Sequence, residues 1–186
     1  MKALLAVIAD AKDQRLPPLG RTCLDSLVAS LMNLDHEIAF AERHIHAWHR
    51  SNEASRHLES IPGIGPIIAT ALVASVSDPS IFKSGRELAA WIGLVPKQNS
   101  TGGKERMGRI SKQGDKFLRW LLVAGAMSVI RHGRKTNFKN NPWLADPVYR
   151  KPAKVAAVAL ANKNARTAWA LLANGETYRQ PAAAKA

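Results

Sequence analysis

An apolar stripe between residues 24 and 48 constrains the fold of this 186-residue chain more than any other feature. Its members are separated alternately by three and four residues: Leu24, Leu27, Leu31, Leu34, Ile38, Ala41, Ile45 and Trp48. Such spacing places all of them on one face of a helix, and a stripe this long needs a partner of similar length. The pattern predicts a long helix in a coiled coil or helical hairpin, and pairing of two copies through residues 24–48. An amphipathic helix packed on its own domain is the alternative.

Charge is distributed unevenly along the chain. Residues 1–93 contain 9 Lys and Arg against 10 Asp and Glu, whereas residues 94–186 contain 18 against 4, a net charge of +14 in the second part. A basic region of this size attracts polyanions, and the exchange of counterions for Lys and Arg contacts drives nucleic-acid binding. The asymmetry therefore favours a nucleic-acid partner over a surface that is merely kept in solution by charge.

Cysteine content and hydropathy indicate the compartment. The lone Cys23 excludes a disulfide within the chain and is typical of a reducing environment. The apolar run at the N-terminus stops at Asp10, and charged residues follow it. No apolar run approaches the roughly 20 residues of a membrane-spanning helix. We expect a cytoplasmic protein without a membrane partner.

Two glycines at alternate positions, Gly63 and Gly65, lie between two apolar segments and precede Pro66. The pattern resembles a helix-hairpin-helix motif, in which amides at the start of the second helix face a phosphate. Pro66 suits that start because its missing amide hydrogen would be unpaired there in any case. Contact with a phosphate is the functional interpretation of the two glycines, and a plain helix corner is the structural one.

Helical periodicity is lost between residues 94 and 111 and returns afterwards. The intervening segment is rich in glycine and cations and predicts an exposed, mobile, cationic loop. A helix is predicted from about Gly114 to Arg131, with Phe117 and Leu118 among its buried residues, and an Ala-rich helix from Pro152 to about Ala173, with Val155 among its buried residues. Trp91 is predicted to lie in the core, and no alternating pattern of useful length predicts strands.

Ser100 is the remaining candidate for catalysis, because the 14 carboxylates are scattered and offer no set for two metal ions. Gly102 and Gly103 follow Ser100 after one intervening residue, and several Lys and Arg residues lie near it in sequence. A serine that attacks a phosphodiester builds negative charge on the phosphoryl oxygens, which nearby cations would stabilise. By residue type alone, however, the favoured reading is that Ser100 and Thr101 merely bond turn amides or phosphates, and the residues by themselves do not select a nucleophile. The predicted phosphate or nucleic-acid contacts are Gly63, Gly65, Lys97, Lys104, Arg106, Arg109, Lys112, Lys116 and Arg119.

Histidines on the long helix are the other candidate metal ligands. His46 and His49 are nearly one turn apart, but no Cys or cluster of carboxylates completes a ligand shell. We therefore predict no metal site and no cofactor bound by this chain, and solvated histidines on the polar face of the helix.

Three ordered motifs, in residues 61–66, 82–96 and 110–119, resemble the C-terminal transposase domain of the insertion sequence one-hundred-and-ten family. Residues 16–48 are similar to the central coiled coil of that family, and residues 155–163 are similar to its final helix. The resemblance covers nearly the whole chain.

The resemblance implies an RNA-guided recombinase that binds DNA and a guide RNA and cuts DNA with a serine that becomes covalently linked to the strand. Ser100 occupies the position of that serine, and Thr101 is the neighbouring alternative. Family members also carry an N-terminal RuvC-like domain whose four acidic residues hold magnesium. This chain begins where that domain should have ended, so we expect a fragment that is catalytically incomplete alone. A non-catalytic, dimeric, helical module that binds DNA or RNA is the alternative function.

The predicted fold class is all-α, with a long coiled-coil-like helix followed by a compact helical domain. The predicted divisions are a lead-in at residues 1–20, a coiled-coil helix at 21–57, a transposase domain at 58–132, a basic connector at 133–151, a C-terminal helix at 152–178 and a disordered tail at 179–186.

Overall fold

The computed structural model describes residues 2–10, 17–98, 107–138 and 142–179. In these ranges the fold is all-α, as predicted, with one small two-stranded sheet. The elements in chain order are α1 (Lys2–Ala9), α2 (Pro18–Ser51), α3 (Glu53–Glu59), α4 (Pro66–Ser75), α5 (Gly85–Trp91), β1 (Pro96–Gln98), β2 (Met107–Ile110), α6 (Lys116–Lys135), α7 (Pro142–Arg150) and α8 (Ala153–Asn174). A single 3-10 turn, Pro79–Ile81, lies between α4 and α5.

The chain divides into two compact units, Met1–Ile45 and His46–Ala186, and the boundary falls inside α2. In the first unit, the guanidinium of Arg21 donates to the carbonyl oxygen of Ile8 at 2.6 Å. The predicted long helix is present, but it ends at Ser51 and not at residue 57, because Asn52 caps a separate helix, α3. The apolar stripe of α2 is largely open to solvent, since Leu27, Leu34 and Ile38 are each more than half exposed.

The second unit has its core between α6 and α8, with α3, α4 and α5 around them. Four alanines of α8 are completely buried, at spacings of four, four and three: Ala157, Ala161, Ala165 and Ala168. Side chains this small let a helix approach its neighbours closely, so α8 packs along one face against α6 and α5. On α6 the buried side is formed by Leu118, Leu122, Ala126 and Ile130.

The segment after residue 94 differs from the predicted irregular loop. β1 pairs with β2 in antiparallel fashion, with Pro96 opposite Ile110 and Gln98 opposite Met107, and a register shift between the two pairs. The Ser111 amide, which donates to the Val95 carbonyl at 2.9 Å, extends the pairing. Strands of three and four residues are too short to show an alternation of residue types, so the sequence pattern does not reveal them.

Several side chains lie outside the core in which they were predicted. Phe117 is 59% exposed and Val155 is 52% exposed, because α6 and α8 turn other residues toward each other. Trp91 is 41% exposed and packs on Phe82, with 5.6 Å between ring centroids. Apolar character alone did not identify the buried face, because α6 carries apolar residues on more than one side.

Helix ends differ slightly from the predicted ones. α6 begins after Asp115, whose carboxylate accepts from the Leu118 amide at 2.8 Å, and it continues to Lys135 rather than Arg131. α7 forms inside the segment predicted as a basic connector. α8 ends close to the predicted residue, where Gly175 adopts a left-handed conformation. No described helix has the length and apolar character needed to cross a membrane.

Candidate nucleic-acid interface

Ser100 and Thr101 lie outside the described residues, together with the predicted phosphate contacts Lys104 and Arg106. The structure does describe the two strands that lead into and out of this segment. β1 ends at Gln98 and β2 begins at Met107, so the eight residues 99–106 connect two paired strands. The Ser100 segment therefore starts and ends at one end of a β-ribbon.

Cations flank this segment on both strands. Lys97 lies on β1 and Arg109 on β2, and both side chains are exposed. Lys112 follows β2 with a left-handed backbone, at φ of 56°, and is exposed as well. Three of the predicted phosphate contacts thus lie on or next to the two strands that residues 99–106 connect.

A groove of about 1020 Å³ lies between the ribbon and α8. Among the described residues its lining combines an apolar surface with cations and includes no carboxylate: Leu94, Pro96, Gly108, Arg109, Ile110, Lys112, Lys154, Val155, Val158, Ala159 and Asn162. Lys154 was not predicted as a contact, because nothing in its local sequence distinguishes it from other lysines. The next residue after Asn162 on α8 is Lys163, and burial lowers the pKa of its ammonium group.

Polar side chains hold the base of the ribbon in place. Asn162 donates from Nδ2 to the carbonyl oxygen of Leu94 at 3.2 Å. Arg119 donates from Nη1 to the carbonyl oxygen of Ile92 at 2.7 Å and to that of Gln113 at 3.3 Å. Arg119, which was predicted as a phosphate contact, thus joins the end of α5 to the turn before α6. Lys116, by contrast, is exposed at the first position of α6.

The turn between α3 and α4 contains the two glycines of the predicted hairpin, and they differ in environment. Gly63 has φ of +91°, and a Cβ there would lie 3.0 Å from the carbonyl oxygen of Gly125 on α6. Gly65 has no atom within 4 Å of the position of a Cβ. Gly63 therefore serves close packing against α6, whereas Gly65 leaves the start of α4 open.

Pro66 occupies the first turn of α4 as predicted, and the Gly65 cap offers no side chain to the amides behind it. A groove of about 270 Å³ adjoins this turn, and its lining is largely apolar, with Pro66, Ile67 and Ile68 beside His46 and Ser128. The start of α4 is thus open, but its surroundings offer few polar groups, and phosphate contact at Gly63 and Gly65 stays a prediction.

A scan against protein families gave a match between residues 55–143 and the model described as the transposase IS116/IS110/IS902 family. The chain contains a transposase domain of this family. The matched span includes the α3–α4 turn, the ribbon and α6, and it ends before α8, which completes the core of the domain in the structure.

Curated relatives share this transposase domain. The chain is 46% identical over 178 residues to a Pseudomonas aeruginosa protein described as "Probable family 20 transposase", which covers 95% of this chain and 52% of that protein. It is 41% identical over 175 residues to the transposase for insertion sequence element IS1111A of Coxiella burnetii, or 94% and 48% of the two chains. It is also 31% identical over 111 residues to the pilin gene-inverting protein of Moraxella bovis, or 59% and 33%. The chain spans about half the length of the first two relatives.

A buried polar cluster adjoins the transposase domain and was missed in the sequence. His49 is 4% exposed, and its Nδ1 lies 2.7 Å from Oγ of Ser55 while its Nε2 lies 2.9 Å from Oε2 of Glu59. The prediction that His49 is solvated was therefore wrong, because α3 folds back over it. The same three residue types activate serine in hydrolases, but Ser55 is completely buried and its hydroxyl has no access to a substrate. The cluster therefore has a structural role, in which its hydrogen bonds hold α3 against the end of α2.

The contacts of His49 also test whether His46 and His49 could share a metal ion. Both ring nitrogens of His49 already have protein partners, which leaves none for a metal shared with His46. Within the described ranges, no group of three or more His, Cys, Asp or Glu is placed to hold a metal ion. The resemblance assigns its magnesium to the N-terminal RuvC-like domain and not to these residues, and the expectation that this chain binds no metal stays a prediction.

Proposed function

We propose that this chain is the DNA-binding, strand-cleaving part of a transposase, and that Ser100 is its nucleophile. The observation that carries the proposal is the cationic groove at the base of the β-ribbon that holds the Ser100 segment. Arg109, Lys112 and Lys154 line this groove, and no carboxylate lines it in the part of the chain that the structure describes. A strand bound along the groove would bring a phosphodiester to the segment in which Ser100 stands.

In the proposed step, Oγ of Ser100 forms a bond to phosphorus while the bond between phosphorus and the leaving sugar oxygen breaks. The serine proton passes to solvent or a base, and the leaving oxygen takes up a proton. Cations of the ribbon stabilise the charge that develops on the phosphoryl oxygens. The chain remains linked to the DNA through a phosphoserine, and strand exchange would reverse the step at a new end.

The test is a covalent adduct between protein and DNA. The probe is a labelled duplex that spans the junction between an insertion element and its flanking DNA. Because the chain covers half of its relatives, the remaining part of the Pseudomonas aeruginosa relative is supplied in trans. A labelled band that survives denaturing electrophoresis is expected for the natural chain and for Thr101→Ala, and is expected to be lost in Ser100→Ala. An equal yield from Ser100→Ala would overturn the assignment.

The second candidate function is a non-catalytic module that binds DNA or RNA. It is favoured by the same groove, which needs no serine in order to bind phosphates. Under this alternative Ser100→Ala leaves the affinity unchanged and no adduct forms with any variant. Binding of a structured guide RNA belongs to the proposal as well, and competition between a labelled duplex DNA and a folded RNA measures it. We place the activity in the cytoplasm, where bacterial DNA lies.

We further propose that two copies associate through α2. The support is the exposed stripe that includes Leu27, Leu34 and Ile38, because apolar side chains at heptad spacing lose contact with water when two such helices pair. Sedimentation equilibrium should give a dimer for the natural chain and a monomer for Leu34→Glu with Ile38→Glu. Glu42→Gln, which changes an exposed charged residue of the same helix off the stripe, is the control and should remain dimeric.

A further inference from the structure

Two large aromatic side chains lie exposed side by side on α6. Phe117 is 59% exposed and Trp120 is 64% exposed, and their rings are nearly parallel, with centroids 6.2 Å apart and planes 25° apart. Between them in sequence, Arg119 turns inward and bonds to backbone carbonyl oxygens. The two rings therefore form one apolar surface that the rest of the described domain does not cover.

The surface of α6 beyond the rings is cationic. Residues at spacings of three and four continue the stripe that Phe117 and Trp120 begin: Ala124, Met127, Arg131 and Arg134. Arg131 and Arg134 are exposed, as are Lys116 and Lys135 at the two ends of the helix. α6 contains no Asp or Glu at all. From Phe117 to Arg134 the stripe measures about 26 Å at 1.5 Å per residue, which is long enough for several nucleotides.

The composition of this face distinguishes nucleic acid from a protein partner. A face that docks a protein helix needs aliphatic residues along its length, but here the aromatic pair gives way to one alanine, a half-buried methionine and then arginines. Aromatic rings beside a line of cations are the combination that binds unpaired nucleotides, since rings stack on bases and cations contact phosphates. The exposed rings therefore fit bases better than they fit a second apolar surface.

The rings are also held in a defined relation to the Ser100 ribbon. α6 begins six residues after the end of β2, and Gly114 in the intervening turn packs against the carbonyl oxygen of Trp91, where a Cβ would come within 1.7 Å. Asp115 then caps α6. A nucleotide held by the rings is thus bound by the element that follows the ribbon directly.

We propose that Phe117 and Trp120 form a stacking platform for unpaired bases of a nucleic-acid strand, and that Arg131 and Arg134 bind phosphates further along α6. The proposal rests on the proposed function, since it assumes that the chain binds nucleic acid, and it adds where unpaired bases are held. DNA melted at a cleavage site and single-stranded parts of an RNA share this chemistry.

The experiment compares three fluorescein-labelled probes of equal length in anisotropy titrations: a thymidine oligonucleotide, a uridine oligonucleotide, and an abasic oligonucleotide that has phosphates but no bases. Trp120→Ala and Phe117→Ala should weaken binding of the base-containing probes about tenfold each and leave abasic binding unchanged. Trp120→Phe should restore most of the loss. The more affected of the thymidine and uridine probes identifies the strand as DNA or RNA.

Salt dependence separates the rings from the arginines. Arg131→Ala should lower the slope of log affinity against log salt by about 0.7, the value for one phosphate on a single strand, while Trp120→Ala should leave the slope unchanged. Tyr149→Ala removes an aromatic ring that is 69% exposed on α7, and it is the control that should bind all probes normally. Thermal unfolding followed by circular dichroism checks that each variant is folded.

Three results would overturn the platform. These are an equal loss of abasic and base-containing binding in Trp120→Ala, no loss for either probe, or a change in oligomeric state with binding intact, which would mean that the rings dock protein. A failure of the proposed function would give a different result from a failure of the platform. In that case the natural chain would show no salt-dependent binding to any of the probes or to a duplex.

Discussion

The side-chain amide of Asn164 donates a hydrogen bond to the carbonyl oxygen of Pro62 at 2.9 Å, across 102 residues of sequence. Asn164 is 4% exposed, so α8 fixes the α3–α4 turn through a buried polar contact. Two more side chains of α8 make similar contacts: Asn162 donates to the carbonyl oxygen of Leu94, and the indole of Trp169 donates to that of Pro79 at 3.0 Å. With these three hydrogen bonds, α8 holds three loops of the domain.

Replacement of this amide should destabilise the domain. In Asn164→Asp the donor becomes a carboxylate that faces the Pro62 carbonyl oxygen, and we expect the free energy of unfolding to fall by about 1–3 kcal/mol. Urea denaturation followed by circular dichroism measures it. Asn33→Asp, at an exposed position on α2, is the control and should change the free energy by less than about 0.5 kcal/mol. Equal effects of the two substitutions would contradict the assigned role.

The contact between Gly125 and Gly63 predicts a reversal of the usual effect of glycine in a helix. Gly→Ala inside a helix normally stabilises by up to about 1 kcal/mol. At Gly125, however, a Cβ would lie 2.0 Å from the carbonyl oxygen of Gly63, so Gly125→Ala should destabilise by about 1–3 kcal/mol. Gly20→Ala in α2 is the matched control, since its nearest neighbour is a Pro17 side-chain atom at 3.7 Å. Opposite signs in thermal unfolding are expected, and stabilisation by Gly125→Ala would show that the two backbones are not in contact.

The buried cluster of His49, Ser55 and Glu59 should contribute to folding and not to catalysis. His49→Ala leaves the buried Ser55 hydroxyl without its partner and opens a cavity, so we expect a loss of about 2–3 kcal/mol. A double-mutant cycle with Ser55→Ala should show coupling between the two residues, since they share one hydrogen bond. His36→Ala, at an exposed position of the same helix, should have little effect. Additive effects in the cycle would argue against the contact.

The cations of the groove should determine how affinity for duplex DNA depends on salt. Arg109→Ala and Lys154→Ala should each lower the slope of log affinity against log salt by about 0.9 if each side chain contacts one phosphate. Lys83→Ala removes an exposed lysine that does not line the groove and should preserve the slope. Anisotropy titrations at several salt concentrations measure these slopes. A change in Lys83→Ala as large as in Arg109→Ala would mean that the groove is not the binding surface.

The long helix, the all-α class and the start of α4 at Pro66 could be predicted because each depends on neighbours in sequence. Heptad spacing, an Ala-rich run and a proline after glycine report local backbone preference directly. The motifs that resemble the transposase family could also be recognised, since each is a contiguous segment of the sequence. Ser100 was selected through this resemblance, since its residue type alone favoured a turn serine, and it remains a prediction because its segment lies outside the described residues.

Local patterns could not decide which face of a helix is covered or which distant residue meets it. Phe117 was predicted to be buried and is exposed, while His49 was predicted to be solvated and is buried. Arg119 was predicted as a phosphate contact, and only the structure shows that its guanidinium also bonds to the carbonyl oxygens of Ile92 and Gln113. Each of these outcomes depends on contacts between elements far apart in the chain, and a side chain's type fixes its chemistry without fixing its neighbours. The sequence by itself therefore determined the longest helices, the basic charge and the family resemblance. The tertiary structure alone decided which cations line a groove, which bond to backbone carbonyl oxygens and which aromatic rings face solvent, because these depend on contacts between distant segments.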